Sequence, residues 1–204
     1  MHRAPISSLL GCGAAESELA RGLAEGAVLA IPTESSYGLA ANPRSRRGVD
    51  RILELKGREE TGKPLLVLFS AIEQLEPLGI DVKSPALGRL ARHWPAALTA
   101  VVAVAEPLPA SCGRRSLAVR MPAREDLRRL LARIGPVTGT SLNRAGETPC
   151  NDPDEIARVF PTGIDVLVDG GITPGGPPST LVDATAEPFR LLRSGAFPWP
   201  PADS

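Results

Sequence analysis

The sequence predicts a mixed α/β fold, with helices flanking a sheet whose strands are not all parallel. Short apolar runs of strand length alternate with segments whose apolar residues recur at helical spacing. Near the C-terminus several strand-like runs adjoin directly, which rules out a strictly parallel sheet. Hydrophobic residues make up 43% of the chain and aromatics only 3%, so the core must be Leu, Val, Ala and Ile. At 204 residues, a single domain over 1–204 is expected.

Each element has its own signal. Leu19, Leu23 and Ala24 predict a helix from Ala14, stopped by Gly26. Ala27 to Ile31 is a buried strand. Val49, Ile52, Leu53 and Leu55 define a helix over Arg47 to Lys56, and Pro64 to Phe69 a second buried strand. Ser84 caps a helix with Pro85 at its first position. Leu98 to Val104 is a Thr/Val-rich strand. Ser116 to Met121 alternates, with Leu117 and Val119 on one face and Ala118 and Arg120 on the other. Leu127, Leu130, Leu131 and Ile134 give a helix over Arg124 to Ile134, and Pro136 to Thr140 is a strand. Asp152 caps a helix through Val159, and Asp165 to Val168 is a strand. Leu181 to Asp183 and Phe189 to Leu192 pair as a hairpin.

Composition excludes several classes. Lys+Arg and Asp+Glu both total 23, so nucleic-acid or nucleotide binding would rest on local clusters of charge. Cys12, Cys112 and Cys150 have no metal-like spacing and His2 and His93 are isolated, which argues for reduced thiols and against a zinc site. No signal-peptide pattern or membrane-length apolar run exists, so a cytoplasmic protein without membrane contact is expected. Residues 197–204, rich in Pro, read as a flexible tail.

The residues that bear chemistry cluster at strand ends. Thr33, Ser35, Ser36 and Tyr37 follow the strand ending at Ile31, where α/β sheets keep their ligand crevices. Lys56, Arg58 and Lys63 follow one helix later, cations suited to phosphate. Ser141 and Asn143 lie at another strand end, and Ser179 precedes a strand after a Gly/Pro-rich loop. Arg120 and Arg193 sit within or at the end of strands, where a guanidinium needs an anionic partner. Taken singly, each is equally readable as a turn or a solvated helix end. There is no Walker A or Rossmann glycine motif, so bound phosphates would rely on side-chain cations and hydroxyls.

In order along the chain, Pro-Thr-Glu-Ser-Ser-Tyr-Gly-Leu, Lys-Gly-Arg with Lys-Pro-Leu, Ser-Leu-Ala-Val-Arg-Met-Pro, Thr-Ser-Leu-Asn-Arg-Ala-Gly, Pro-Ser-Thr-Leu-Val-Asp and Leu-Arg-Ser-Gly-Ala resemble the YrdC-type threonylcarbamoyl-AMP synthase family, from about Ala27 to Ala196. The resemblance implies an open, twisted mixed sheet with a concave basic cleft. It implies condensation of L-threonine, bicarbonate and ATP into L-threonylcarbamoyladenylate and pyrophosphate, a nucleotidyl transfer serving tRNA t6A37 modification. Mg²⁺ would enter on the ATP phosphates. The implied partners are tRNA or double-stranded RNA and downstream proteins that transfer threonylcarbamoyl to tRNA.

By the same resemblance, Thr33, Ser35, Tyr37, Arg120 and Ser179 form the threonine site, with Arg120 on the carboxylate. Lys56 and Arg58 are catalytic and, with Lys63, surround the phosphates, while Ser116, Ser141, Asn143 and Arg193 line the nucleotide site. Leu142, Ala123 and Leu68 depart from the family pattern, and Leu142 is expected to reshape the pocket. The alternative is a YrdC-like paralogue that binds RNA or nucleotide without making the adenylate.

Overall fold

The computed structural model describes residues 1–57, 63–143 and 148–200. The chain begins β1 (His2–Pro5), α1 (Ile6–Leu9), α2 (Gly13–Ala24), β2 (Leu29–Pro32), β3 (Tyr37–Ala40) and α3 (Arg46–Leu55). It continues β4 (Leu66–Leu68), α4 (Pro85–Ala91), β5 (Leu98–Ala103), β6 (Ser116–Arg120), α5 (Glu125–Ile134), β7 (Val137–Thr138) and β8 (Thr140–Ser141). It ends α6 (Pro153–Val159), β9 (Val166–Asp169), β10 (Thr180–Asp183) and β11 (Arg190–Arg193).

The mixed α/β class holds, but the strands form two sheets rather than one. Their orders are β1-β9-β2-β3-β8 and β11-β10-β5-β6-β4-β7. Each is mixed: β2 pairs with β9 in parallel and with β3 antiparallel, while β6 pairs with β4 in parallel and with β5 antiparallel. The run expected as one strand over Pro136 to Thr140 is where the sheets part. β7 pairs with β4 in one sheet and β8 with β3 in the other. Gly139 makes the crossing, because a Cβ there would lie 2.6 Å from Leu68 side-chain atoms. Tyr37 and Gly38 begin β3, a strand for which the sequence gives no separate signal.

Core packing follows from β2. All four of its residues are buried, with Leu29 and Ile31 facing one apolar cluster and Ala30 the other. The first cluster takes Leu19 and Leu23 from α2 and Leu127, Leu130, Leu131 and Ile134 from α5, the stripe that the 3.6-residue spacing predicts. The second joins Leu39 of β3 to Val67, Val119 and Leu98 of the other sheet. Ser84 and Asp152 cap α4 and α6 as expected, accepting from Leu87 N–H (3.4 Å) and Asp154 N–H (2.8 Å).

The tail expected from position 197 is held at its start. Phe197 and Trp199 pack against the core, Trp199 stacks on Phe189, and the Phe197 carbonyl accepts from the Thr180 hydroxyl at 2.5 Å. Aromatic burial does this, which a Pro-rich run with no periodicity does not announce. Residues 201–204 lie outside the described residues.

Gly195 makes this strap possible. A Cβ there would sit 2.2 Å from the Pro178 carbonyl oxygen and 2.4 Å from Ser179 C. Gly195→Ala should therefore cost about 1–3 kcal/mol of stability through overpacking. It should also displace the Pro178–Ser179 backbone. Thermal unfolding would register it, and an unchanged variant would refute the contact.

Candidate functional site

A cavity of about 610 Å³ opens between the two sheets, a size suited to a small-molecule ligand. One wall is the Thr33–Ser36 turn with Tyr37 and Ser141; the other comes from Thr99, Ala118, Arg120, Ser179 and Arg193. Seven of the expected site residues thus converge: Thr33, Ser35, Tyr37, Arg120, Ser141, Ser179 and Arg193.

The turn is built by Thr33. Its hydroxyl donates to the Ser36 carbonyl (2.7 Å), accepts from the Ser35 and Ser36 amides (both 3.3 Å), and its N–H also reaches Ser36 O (3.1 Å). Thr33 is thereby occupied with structure. Among the described residues the Ser35 hydroxyl has only its 3.4 Å approach to that of Thr33, which leaves Ser35 Oγ to present to a ligand.

Tyr37 ties a loop over this corner. Its ring is fully buried and its hydroxyl accepts from Gly170 N–H (3.1 Å) and donates to Gly171 O (2.9 Å). Burial pushes the phenol's pKa up, so it stays a neutral donor. The loop after Gly170 is pinned again where Gly175 N–H donates to Ser35 O (2.8 Å) and Thr173 N–H to Asn151 O (2.9 Å). Its Gly175, Gly176 and Pro178 line the cavity.

Strand alternation builds the opposite wall. In β6, Leu117 and Val119 enter the core while Ala118 and Arg120 face the cavity, as their spacing predicts. Ser116 lies two positions beyond Ala118 on the same face but outside the cavity wall. Arg120 is only 5% exposed, and burial pulls its pKa down while Glu34 opposes that. The Ser179 hydroxyl, just before β10, meets that of Thr99 on β5 at 2.7 Å, and Arg193 donates to the Ser179 carbonyl at 2.9 and 3.2 Å. Thr99 escapes sequence reasoning; its only signal is a hydroxyl inside an otherwise apolar strand.

The cation cluster is arranged differently from the expectation. Lys56 is 1% exposed and absent from the cavity wall. Its ammonium donates to Ser141 O (2.5 Å), Asn143 O (3.2 Å) and Asn143 Oδ1 (3.1 Å). Asn143 Oδ1 also accepts from the Ser141 hydroxyl at 2.7 Å. Lys56 and Asn143 thus hold the segment that presents Ser141, because a lysine this deeply buried needs acceptors of its own. Lys63 is exposed beside Pro64, which does line the cavity. Arg58 lies outside the described residues. Leu142 does not shape the wall either: it is fully buried in the core, as is Leu68. Ala123 is exposed, outside the cavity wall.

Fold and site define a mixed α/β protein whose cleft presents hydroxyl and guanidinium groups. A Sua5/YciO/YrdC family model, described as "Telomere recombination", matches residues 21–195, and the chain belongs to that family. A threonylcarbamoyl-AMP synthase of Pyrococcus abyssi is 37% identical over 177 residues, which cover 85% of this chain and 52% of that protein. The chain therefore spans about half the length of this relative. A threonylcarbamoyl-AMP synthase of Neisseria gonorrhoeae is 36% identical over 184 residues, 87% of this chain and 95% of that one. Among solved structures, P. abyssi Sua5 complexed with L-threonine superposes with a TM-score of 0.80 at 35% identity, over 91% of this chain and 55% of that one. Escherichia coli YciO shares the fold, with a TM-score of 0.76 at 20% identity over 91% of both chains.

Proposed function

We propose that this chain is a threonylcarbamoyl-AMP synthase, a nucleotidyltransferase that joins L-threonine, bicarbonate and ATP. One observation carries the reading: a buried guanidinium, Arg120, shares a single cavity with the hydroxyls of Ser35 and Ser179. That set matches a small hydroxy amino acid bound by its carboxylate. The synthase names of its relatives and the L-threonine complex of P. abyssi Sua5 support it.

In this reading the threonine amine and bicarbonate give a carbamate and water. A carbamate oxygen attacks the α-phosphorus of ATP, the new P–O bond forms, and the bond to pyrophosphate breaks. Such a displacement needs positioning and charge neutralisation more than a covalent nucleophile. Arg120 fixes the carboxylate, and Ser35 and Ser179 address the polar groups beside it. Arg193 and Ser141 extend from the wall toward the nucleotide, and Ser116 lies outside the wall on the same face of β6. Arg58 and Lys63 neutralise the phosphates, with Lys56 and Asn143 holding Ser141 in place, and the cleft is basic in this sense. Mg²⁺ would be held through phosphate oxygens. Among the described residues no cluster of three or more His, Cys, Asp or Glu side chains forms a separate metal cage.

The product would serve t6A37 formation in tRNA, through downstream threonylcarbamoyl-transfer proteins and contact with tRNA or double-stranded RNA. A cytoplasmic location goes with that role, and no described helix is long and apolar enough to cross a membrane. Incubation with ATP, bicarbonate and each amino acid in turn tests the reading by mass spectrometry. An adenylate that appears only with L-threonine is expected. Nucleotide or RNA binding with no adenylate would point instead to a non-synthetic paralogue.

A further inference from the structure

The turn that presents Ser35 also carries the acid nearest to Arg120. Glu34 stands between the cavity residues Thr33 and Ser35 but does not itself line the cavity. Its Oε1 lies 3.2 Å from Arg120 Nη1, and the two side chains are 19% and 6% exposed. The pairing is incomplete. Among the described residues, neither oxygen of Glu34 nor Arg120 Nε finds a hydrogen-bond partner, although all three atoms are buried. Buried donors and acceptors left in this state are costly, and a charge-assisted pair normally aligns two N–H groups on one carboxylate. Arg193 lies close enough to act on Arg120 electrostatically, and these two arginines are the only charged side chains in the cavity wall among the described residues. The Arg120 guanidinium therefore has one poorly aligned carboxylate beside it and a second cation nearby.

We propose that Glu34 is a built-in stand-in for the substrate carboxylate, neutralising Arg120 while the site is empty and releasing it when the amino acid arrives. The inference rests on the threonine-site reading above. Its logic is linkage. A group that stabilises the empty state more than the occupied one lowers ligand affinity by that difference. Glu34 keeps the buried guanidinium in place without substrate, since an uncompensated buried charge is strongly destabilising. It also sets a threshold: an incoming ligand must offer a carboxylate that aligns better than Glu34 does. An amino alcohol offers none. Glu34 is thus a positioning residue that selects for a carboxylate.

The test compares the wild type with Glu34→Gln and Glu34→Asp. Calorimetry would use L-threonine and its amino alcohol, threoninol, alongside thermal unfolding. Glu34→Gln should unfold at lower temperature without ligand yet bind L-threonine on the order of tenfold more tightly. Threoninol affinity should not change, and Glu34→Asp, which keeps the charge, should return threonine affinity to the wild-type value. A purely structural role would weaken both ligands together. A folded Glu34→Gln variant that binds threonine no more tightly than wild type overturns the inference. Folding only in the presence of threonine would support it. A threonine-bound wild-type structure gives a test independent of the variants: Glu34 moved beyond 4 Å from Arg120 supports the exchange, and an unaltered contact overturns it. Wild-type protein that fails to bind threonine at all would remove the functional reading itself.

Discussion

Arg120→Ala should raise the KM for L-threonine by about 10²–10³-fold, with a much smaller effect on the KM for ATP. Truncating one side of a buried charge pair costs about 2–5 kcal/mol in binding, much of it from the charge left unpaired. Here the loss falls on the amino acid, because Arg120 and the Ser35 and Ser179 hydroxyls share the cavity wall. The variant also leaves Glu34 buried without its counter-ion, which lowers stability by about 3 kcal/mol. Steady-state kinetics with each substrate varied, checked by thermal unfolding, separates the two effects. A folded variant with an unaltered threonine KM would remove Arg120 from the carboxylate site.

Lys56→Met should destabilise the fold by roughly 3 kcal/mol and raise the nucleotide KM. The substitution keeps the apolar stem but removes the ammonium's bonds to the Ser141 and Asn143 carbonyl oxygens and to Asn143 Oδ1. The segment bearing Ser141 then loses its anchor. Urea unfolding gives the first effect and pyrophosphate-release kinetics the second. A variant as stable as the wild type would contradict the anchoring role. Normal stability with lost turnover would return Lys56 to the phosphates, where the motif alone had placed it.

The difference between these two cations shows how far the sequence reaches. Arg120 was legible because strand periodicity is local: Leu117 and Val119 must enter the core, so Ala118 and Arg120 must face away from it. Lys56 was not, because a lysine at a helix end has the same local signature whether it points to solvent or beneath a distant turn. Its acceptors lie 85 and 87 positions away in the chain. Thr99 and Glu34 were missed for a related reason. Each gains its meaning from a partner distant in the chain, Ser179 and Arg120 respectively.

The sequence alone determined the α/β class, most helices and strands, and the hydroxyls and guanidinium groups of the cleft. Those features follow from hydrophobic periodicity, capping residues and turn chemistry, all of which act over a few positions. Only the tertiary structure decided that the strands divide into two sheets at Gly139, that Phe197 and Trp199 strap the C-terminal segment down, and which charges are buried together. Those outcomes depend on contacts between distant segments, where burial and the need to pair each buried polar group override local preference.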